Sequence, residues 1–505
     1  MEINTLDDLD KLELKIRQEI SKYRLGDVLY SLYEIKDSLR PFIAAGVALF
    51  AIRFSEPSIV SQNYNLLNLN TIRRLVSDYL LADPITFDQE LENNFMGSNP
   101  AFVMLRLACS QFPFEVSEFS QFSRPILLYH EIPNSLVGKA GIPKFDIHKE
   151  FLIINGISIP EFINIGFAAS AVARNNFSFS LNWFEKLRSQ GISLLDDKAI
   201  SQAVYQLAGD QVKIKTLYDK RKNTDRRFRM YDFNPLRTYP LVFPCGFGNV
   251  GQDFMCAPLP GLIDDKMSIG IYYQLFNKLK NKFSDYFGYV LEEYLKLILN
   301  NSITSQKNID IRDLDLGNQS KSPDYAIIDG SVAIVLECKA TKFTLAAQTI
   351  SSEEAINDSL KQVIKGLIQI DTFIKACQAR ASNLDEFHEC SRFMPVLVTH
   401  EEMYLINSDD FRAHINELLK KQQIVNLDWQ ILSIGELERL QPHLAAGIHL
   451  SQVLQDLKHK TFNSVLKELA SQTRKTFKDC FLYPKQKELY QRLGIPDRSE
   501  EKSYY

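Results

Sequence analysis

The chain has few cysteines, and they are not spaced as metal ligands are. Its 505 residues include seven cysteines, an odd number, and no two of them form a C-x-x-C pair. Zinc ribbons and disulfide frameworks need such pairs or an even, regularly spaced set. The sequence therefore argues against both classes and predicts a protein of a reducing compartment, the cytoplasm.

Long hydrophobic runs are also missing. The longest apolar runs lie near 42–52 and 163–173, and both are too short to cross a bilayer as a helix. The first ten residues are polar and acidic, unlike those of a secretory signal peptide. We therefore predict that the protein has no membrane partner.

An excess of positive charge is absent as well. The chain carries 58 Lys and Arg against 62 Asp and Glu, a formal net charge of −4, so affinity for nucleic acid would need a local basic patch. Segment 211–239 supplies a candidate, because basic residues that neutralise phosphates alternate there with aromatic residues that stack on bases. A solvated charged face is the alternative interpretation. The candidate nucleic-acid-binding residues are Lys220, Arg221, Lys222, Arg226, Arg227 and Arg229.

The length suggests two to four domains. Helical spacing of apolar residues predicts a mainly helical N-terminal region over 1–260, with a few strands between 111 and 165, where prolines separate short apolar runs. A glycine- and proline-rich stretch ends at Gly261 and marks a boundary. An α/β domain over 261–440 and a helical C-terminal extension over 441–505 complete the prediction.

The stretch 246–251 matches the G-x-G-x-x-G pattern of dinucleotide-binding loops. The residues after it include two prolines and cannot open the helix whose N-terminus would hold a pyrophosphate. We interpret it as a glycine loop.

Two short apolar strands meet at Asp329-Gly330, a typical hairpin turn. This turn predicts that Asp324 faces Val335 across the hairpin. Because side chains alternate along a strand, Glu337 and Lys339 would share one face, with Asp324 diagonally across from Glu337. Burying these groups is costly unless they bind a metal ion or one another.

The hairpin lies inside an α/β pattern. We predict a helix over 268–300 with a break near Lys282, and a polar loop over 300–322. A helix over 356–377 follows the hairpin, then strands over 395–399 and 429–433 and a helix over 435–440. On the first helix, Glu292 aligns with small and apolar residues and is predicted to point inward, whereas Glu293 aligns with a solvent-facing row.

Pro323-Asp324 followed by Glu337-Cys338-Lys339 resembles the signature of the PD-(D/E)XK nuclease superfamily. The resemblance covers roughly 268–440 and implies a restriction-endonuclease-like mixed sheet flanked by helices. Gly288, Glu292 and Tyr294 fit the family's first helix, and Gln362 or Lys361 matches a position in the helix after the lysine. A second Pro-Asp…Glu-x-Lys pattern at 496–502 lacks strands between its parts and lies in a polar tail.

The resemblance implies a metal-dependent nuclease that acts on DNA, with RNA as the alternative, within a bacterial antiviral defence system. Mg²⁺ or Mn²⁺ would be held by Asp324, Glu337 and the backbone carbonyl of Cys338. Lys339 would activate the attacking water or stabilise the transition state, and Glu292 and Gln362 would assist.

Two other hypotheses remain open. One is an inactive nuclease fold that binds nucleic acid or scaffolds a complex. The other is a protein-interaction module in which region 1–260 is the functional part and the C-terminal half assembles a complex. A protein partner or a second copy of the chain would bind through the N-terminal region.

Overall fold

The structure, a computed structural model, describes residues 3–55, 66–86, 100–114, 122–189, 196–244, 254–314, 316, 321–381, 383–492 and 494. It is a mixed α/β protein in which helices predominate and two small sheets are present. The G-x-G-x-x-G stretch and the second Pro-Asp…Glu-x-Lys pattern lie outside the described residues.

The N-terminal region is mainly helical, as predicted. Thr5 caps the first helix by accepting a hydrogen bond from the backbone N–H of Asp8, which satisfies one of the free donors at a helix start. The helices before the first sheet are α1 Leu6–Ile20, α2 Leu25–Glu34, α3 Pro41–Phe54, α4 Leu66–Leu80, α5 Pro100–Gln111, α6 Ser123–Ile126, α7 Ile132–Leu136, α8 Ile147–Asn155 and α9 Ile159–Asn175.

The strands expected between 111 and 165 are wrong for the two apolar runs that suggested them. Residues 126–129 lie in a helical segment whose middle is a π-helical turn, Leu127–Glu131, and residues 151–154 lie in α8. Pro133 and Pro160 sit in the first turns of α7 and α9, where the missing N–H costs nothing. These prolines begin helices; they do not punctuate strands.

A small four-stranded sheet of order β1-β4-β3-β2 closes this region. Its members and the helices between them are β1 Ser178–Ser180, α10 Asn182–Ser189, α11 Asp197–Leu207, β2 Ala208–Gly209, α12 Gln211–Arg221, β3 Leu241–Val242 and β4 Phe254–Cys256.

A five-stranded mixed sheet organises the second half of the chain. Its order is β5-β6-β7-β8-β9, with the first three strands antiparallel and the last three parallel. The elements are α13 Gly261–Met267, α14 Ile269–Leu279, α15 Asn281–Ser302, β5 Lys307–Asp310, β6 Tyr325–Asp329, β7 Val332–Lys339, α16 Leu345–Thr349, α17 Glu353–Gln378, β8 Arg392–Thr399, α18 Asp409–Lys420, β9 Gln430–Ser433, α19 Ile434–Ala445, α20 Leu450–Asp456, α21 Phe462–Thr473 and α22 Tyr483–Arg492.

Helices cover both faces of this sheet. One face, with Leu336 and Cys338, packs in a core shared with α15 and α19. The other face, with Val335, packs against α17 and α18. A strand buried on both faces reads as a continuous apolar run, which is the character of β7. The sheet is therefore the middle layer of three.

The predicted break in the long helix is confirmed. α14 ends at Leu279 and α15 begins at Asn281, and Lys280 between them has a φ of +49°. The expected polar loop over 300–322 contains strand β5, an edge strand whose residues are exposed or half-buried. Its polar composition lacks the apolar alternation that identifies a strand.

The hairpin register differs from the predicted one by two residues. Asp329 faces Val332 and Tyr325 faces Leu336, so the turn is formed by Gly330 and Ser331, with Gly330 at a φ of +60°. The Asp329 carboxylate hydrogen-bonds to His449 Nδ1 at 2.8 Å and accepts a hydrogen bond from the Ser451 hydroxyl. A shift of two keeps every side chain on its expected face, whereas a shift of one would reverse them all.

The division at 260 and 440 stays a prediction. One buried core contains side chains from all three segments, such as Phe162, Leu291 and Leu454. Within the described part of the chain, no single helix is long and apolar enough to span a bilayer, while the bent pair α8 and α9 meets the length and composition requirements jointly.

Candidate active site

The two strands of the hairpin bring two buried carboxylates together. Asp324 lies just before β6 and Glu337 lies near the end of β7, and their residues are 6% and 2% exposed. The Cys338 backbone N–H donates to Asp324 Oδ2 at 2.7 Å, and the Asp324 N–H donates to the Leu336 carbonyl at 3.1 Å. The register therefore places Asp324 beside Glu337.

Lys339 follows on the same face of β7. Its Nζ forms an ion pair with Glu337 Oε1 and donates to Gln369 Oε1 at 3.3 Å. Gln369 Nε2 in turn donates to the Ser322 carbonyl at 2.6 Å. Gln369 thus connects the ammonium group to the backbone just before Asp324.

Gln369 was missed by the sequence interpretation, which chose Gln362. Gln362 is exposed and lies seven residues earlier on α17, roughly 10 Å along the helix axis. Seven residues are close to two helical turns, so the two glutamines share a face and the sequence could have offered both. Lys361, the other candidate, is exposed and pairs with Asp358 at 2.6 Å.

A glycine lets α17 lie directly on the Glu337–Lys339 pair. A Cβ atom at Gly366 would come within 2.4 Å of Leu397 Cδ1, 3.4 Å of Glu337 Cγ and 3.5 Å of Lys339 Cε. The close approach of helix and strand at this point requires a residue without a side chain.

Glu292 reaches the neighbourhood of the site from α15. Arg312 Nη1 contacts Glu292 Oε2 at 3.5 Å and Glu293 Oε1 at 2.8 Å. The exposed fractions of the two side chains, 24% and 22%, do not distinguish the glutamates. Burial raises the pKa of Glu292, and its charge acts on Asp324 and Glu337, as expected for a carboxylate directed toward the site. Both point toward the shared guanidinium, which no sequence pattern had placed there.

Burial and crowding of like charges shift the pKa values of the site. Burial raises the pKa of Asp324 well above its usual range, and the charges of Glu337 and Glu292 add to this. Burial also raises the pKa of Glu337 to about 7, although Lys339 opposes the shift. For Lys339, burial would lower the pKa, but the Glu337 carboxylate outweighs it and raises the pKa.

One oxygen of the site is left without a partner. Within the described part of the chain, Glu337 Oε2 is buried and accepts no hydrogen bond. A buried unpaired carboxylate oxygen is costly, and buried polar atoms without partners mark places where an ion or water binds.

The donor set fits Mg²⁺ or Mn²⁺. No group of three or more His, Cys, Asp or Glu side chains among the described residues is placed to hold a metal ion, so the protein would supply only Asp324 and Glu337 as carboxylate ligands. Mg²⁺ is commonly held by one or two carboxylates, with waters and substrate phosphates completing the shell. The Cys338 carbonyl stays a predicted ligand.

The Cys338 thiol takes no part in this set. Its side chain belongs to the opposite face of the sheet, in the core shared with α15. Burial, together with the Asp324 charge, raises the pKa of the thiol well above its usual value, so it stays protonated.

The basic segment lies on α12 and the 3₁₀ turn Arg226–Tyr231. The expectation that its aromatic residues stack on bases is wrong for Tyr218, Phe228 and Tyr231, because all three are buried in the N-terminal core. Neighbouring groups also engage five of its six cations, through Lys222–Asp219, Arg226–Asp10, Arg227–Asp225 and Arg229–Glu13 ion pairs and an Arg221–Phe233 cation–π contact, while Lys220 is exposed.

Comparison of the chain with protein-family models, with curated proteins and with solved structures gave no match. The functional argument therefore rests on the residues and geometry of the site.

Proposed function

We propose that the protein is a Mg²⁺- or Mn²⁺-dependent nuclease that hydrolyses phosphodiester bonds in DNA, with the restriction-endonuclease-like fold that its signature residues resemble. The observation that carries this proposal is the arrangement at the end of β7. Asp324 and Glu337 are buried side by side, Lys339 follows Glu337 on the same face, and Glu337 Oε2 has no partner within the described part of the chain. The antiparallel hairpin that continues into parallel strands through α17 supports the proposed fold.

Asp324 and Glu337 would hold the metal ion through hard oxygen ligands. A bound Mg²⁺ would supply Lewis-acid stabilisation of the phosphoryl oxygens and lower the pKa of a coordinated water. Arg312 engages the Glu292 carboxylate, whose charge also acts on Asp324 and Glu337.

The role of Lys339 follows from its charge. Its raised pKa favours the ammonium form, which cannot accept a proton. Lys339 therefore orients the attacking water and stabilises the negative charge that develops on the phosphate. Gln369 fixes the direction of the ammonium group by its contacts to Nζ and to the Ser322 carbonyl.

A cleavage assay tests the proposal. The purified protein is incubated with plasmid, linear DNA and RNA in Mg²⁺, Mn²⁺ or EDTA, beside Asp324→Ala, Lys339→Ala and the control Lys375→Ala, an exposed lysine on the same α17. We expect metal-dependent cleavage that both site variants lose and the control retains.

Metal-dependent cleavage that survives both site substitutions would refute the site. If no substrate is cleaved under any condition, the hypothesis of an inactive nuclease fold with a scaffolding role would replace the nuclease hypothesis.

A further inference from the structure

A polar cleft of about 280 Å³, apart from the candidate active site, opens at the carboxyl ends of the three parallel strands. Lys342 follows β7, His400 and Glu401 follow β8, and Ser433 ends β9. The opposite wall comes from earlier in the chain and includes Arg237 and Asp265. In open α/β sheets, the crevice outside the carboxyl ends of the strands is the usual place for a ligand.

Two arginines in the cleft form no ion pair within the described part of the chain. The guanidinium groups of Arg237 and Arg439 form no ion pair and no hydrogen bond with other described residues, although both side chains are half-buried. Arg439 makes a cation–π contact, 4.5 Å from the centre of the Phe462 ring. Its charge opposes the rise that burial causes in the pKa of Glu402, and the charge of Arg237 does the same for Asp265. A partly buried arginine without a counter-ion is suited to an anion, and its fork of donors matches phosphate.

The two other cations that line the cleft are already engaged. Arg124 is paired with Glu438. Lys342 Nζ lies 3.4 Å from Glu401 Oε1 and 3.3 Å from the centre of the Tyr273 ring, and the Tyr273 hydroxyl donates to the same carboxylate at 2.7 Å. Arg237 and Arg439 are therefore the cleft cations that form no ion pair with a described residue, and the Glu402 carboxyl, whose pKa burial raises, also lines the cleft.

The cleft also offers acceptors and aromatic surface. Burial raises the pKa of Asp265 to about 7, so this carboxyl group carries a reduced negative charge near neutrality. Burial, with Arg124 and Lys342, lowers the pKa of His400 to about 3, so the imidazole is neutral. The rings of Phe112 and Tyr404 meet edge to face at 5.3 Å and form an aromatic rim.

We propose that this cleft is a binding site for a nucleotide. Arg237 and Arg439 would bind its phosphate group, the Asp265 carboxyl would accept hydrogen bonds from base or sugar, and the aromatic rim would contact the base. The combination of unpaired guanidinium groups, carboxyl acceptors and aromatic rings is what a nucleoside phosphate requires. Asp324, Glu337 and Lys339 do not line the cleft, so the site is separate from the proposed active site.

Binding to the intact protein in EDTA tests this proposal without depending on catalysis. Calorimetry would use inorganic phosphate, AMP, ATP, GTP and a short single-stranded oligonucleotide with a 5′-phosphate. The variants are Arg237→Gln and Arg439→Gln, with Arg392→Gln as the matched control, because Arg392 is exposed and begins β8 at the strand end away from the cleft. Melting curves show whether each variant folds.

We expect at least one nucleotide to bind and its Kd to rise about tenfold or more in each cleft variant, with no change in Arg392→Gln or Lys339→Ala. A mononucleotide that binds while the oligonucleotide does not would support a free nucleotide as the ligand. Absence of any binding, binding by both cleft variants as tight as by the parent, or binding of the oligonucleotide alone would overturn the proposal. Loss of binding in Lys339→Ala would show that the ligand occupies the active site.

Discussion

Two glutamates in the same α/β core illustrate two ways to bury a charge. Glu438 on α19 is 0% exposed, and Glu337 on β7 is 2% exposed. Glu438 accepts from Arg124 Nε at 2.7 Å and from the Tyr294 hydroxyl at 2.5 Å, and its second oxygen is held by Arg124 Nη2. Glu337 has Lys339 on one oxygen and, among the described residues, no partner on the other.

The difference separates a charge that is fully paired within the fold from one that is open to a ligand. A buried carboxylate whose oxygens are all paired stabilises one arrangement of its neighbours and gains nothing from a ligand. A buried carboxylate with a free oxygen beside a second carboxylate is compensated when a cation or a proton binds. Departures from full polar satisfaction concentrate at functional sites. Removal of each charge should therefore have opposite consequences.

The largest effect is expected from Glu337→Gln. We predict that metal-dependent cleavage falls about 10³-fold, while the melting temperature in EDTA is unchanged or higher, because an undercompensated buried charge has been removed. Cleavage rates and melting curves, each with and without Mg²⁺, measure both quantities. A variant that melts well below the parent in EDTA would place Glu337 with Glu438, as a structural charge.

Glu438→Gln should show the reverse pattern. It leaves Arg124 without its counter-charge, and breaking such a buried pair should lower the free energy of unfolding by about 3 kcal/mol. Tyr294→Phe removes only one hydrogen bond to the same carboxylate and should cost about 1.5 kcal/mol. Denaturant titrations give both values. If Glu438→Gln were as stable as the parent, Glu438 would not stabilise the fold and the two glutamates would not differ in this respect.

The pH dependence of stability should also distinguish the two glutamates. The pKa of Glu337 is raised to about 7 from an ordinary value near 4.5, so folding favours its protonated form. Its contribution to stability is therefore present at low pH and is lost as pH rises from about 4.5 to 7. In EDTA, the parent should lose stability over this window relative to Glu337→Gln. Added Mg²⁺ should reduce the loss, and parallel pH profiles of the two proteins would contradict the prediction.

The smallest effects concern two helical glycines. Gly366→Ala would force α17 away from Leu397 and the Glu337–Lys339 pair, so we expect a loss of about 1–2 kcal/mol and slower cleavage. Gly288→Ala is the matched control, since a Cβ there meets nothing within 4 Å, and it should stabilise α15 by up to about 1 kcal/mol. If the two variants have the same melting temperature and cleavage rate, the close approach of α17 to β7 is unimportant.

The alternation of side chains along a strand made the centre of the site predictable from the sequence. The common face of Glu337 and Lys339 follows from alternation along β7 and survives the two-residue error in register. The register itself was not predictable, because His449 and Ser451, more than 100 residues away, hold Asp329 in the strand end. A local turn preference carries no information about such a contact.

The surroundings of the site depended on tertiary contacts that leave no local pattern. Arg312 follows an edge strand without apolar alternation, and its pairing with Glu292 and Glu293 is seen only in three dimensions. Gln369 and Gln362 are equivalent by helical periodicity, and only the crossing of α17 over β7 distinguishes them. Helix α18, by contrast, was not predicted although the sequence contains its signal: Phe411, Ile415 and Leu419 recur at intervals of four.

The hydrogen bonds of His449 and Ser451 to Asp329 limit where this chain can be divided into separately folding parts. Strands β6 and β7, which carry the candidate site, are held at their turn by residues from the segment beyond 440. That segment also contributes Leu454 and Leu466 to the main core. A chain that ends at residue 440 would lose these core contacts, which exposes apolar surface, and would also lose the hydrogen bonds that hold the β6–β7 turn. The α/β core is therefore not expected to fold in a fusion protein that lacks the helices that follow it.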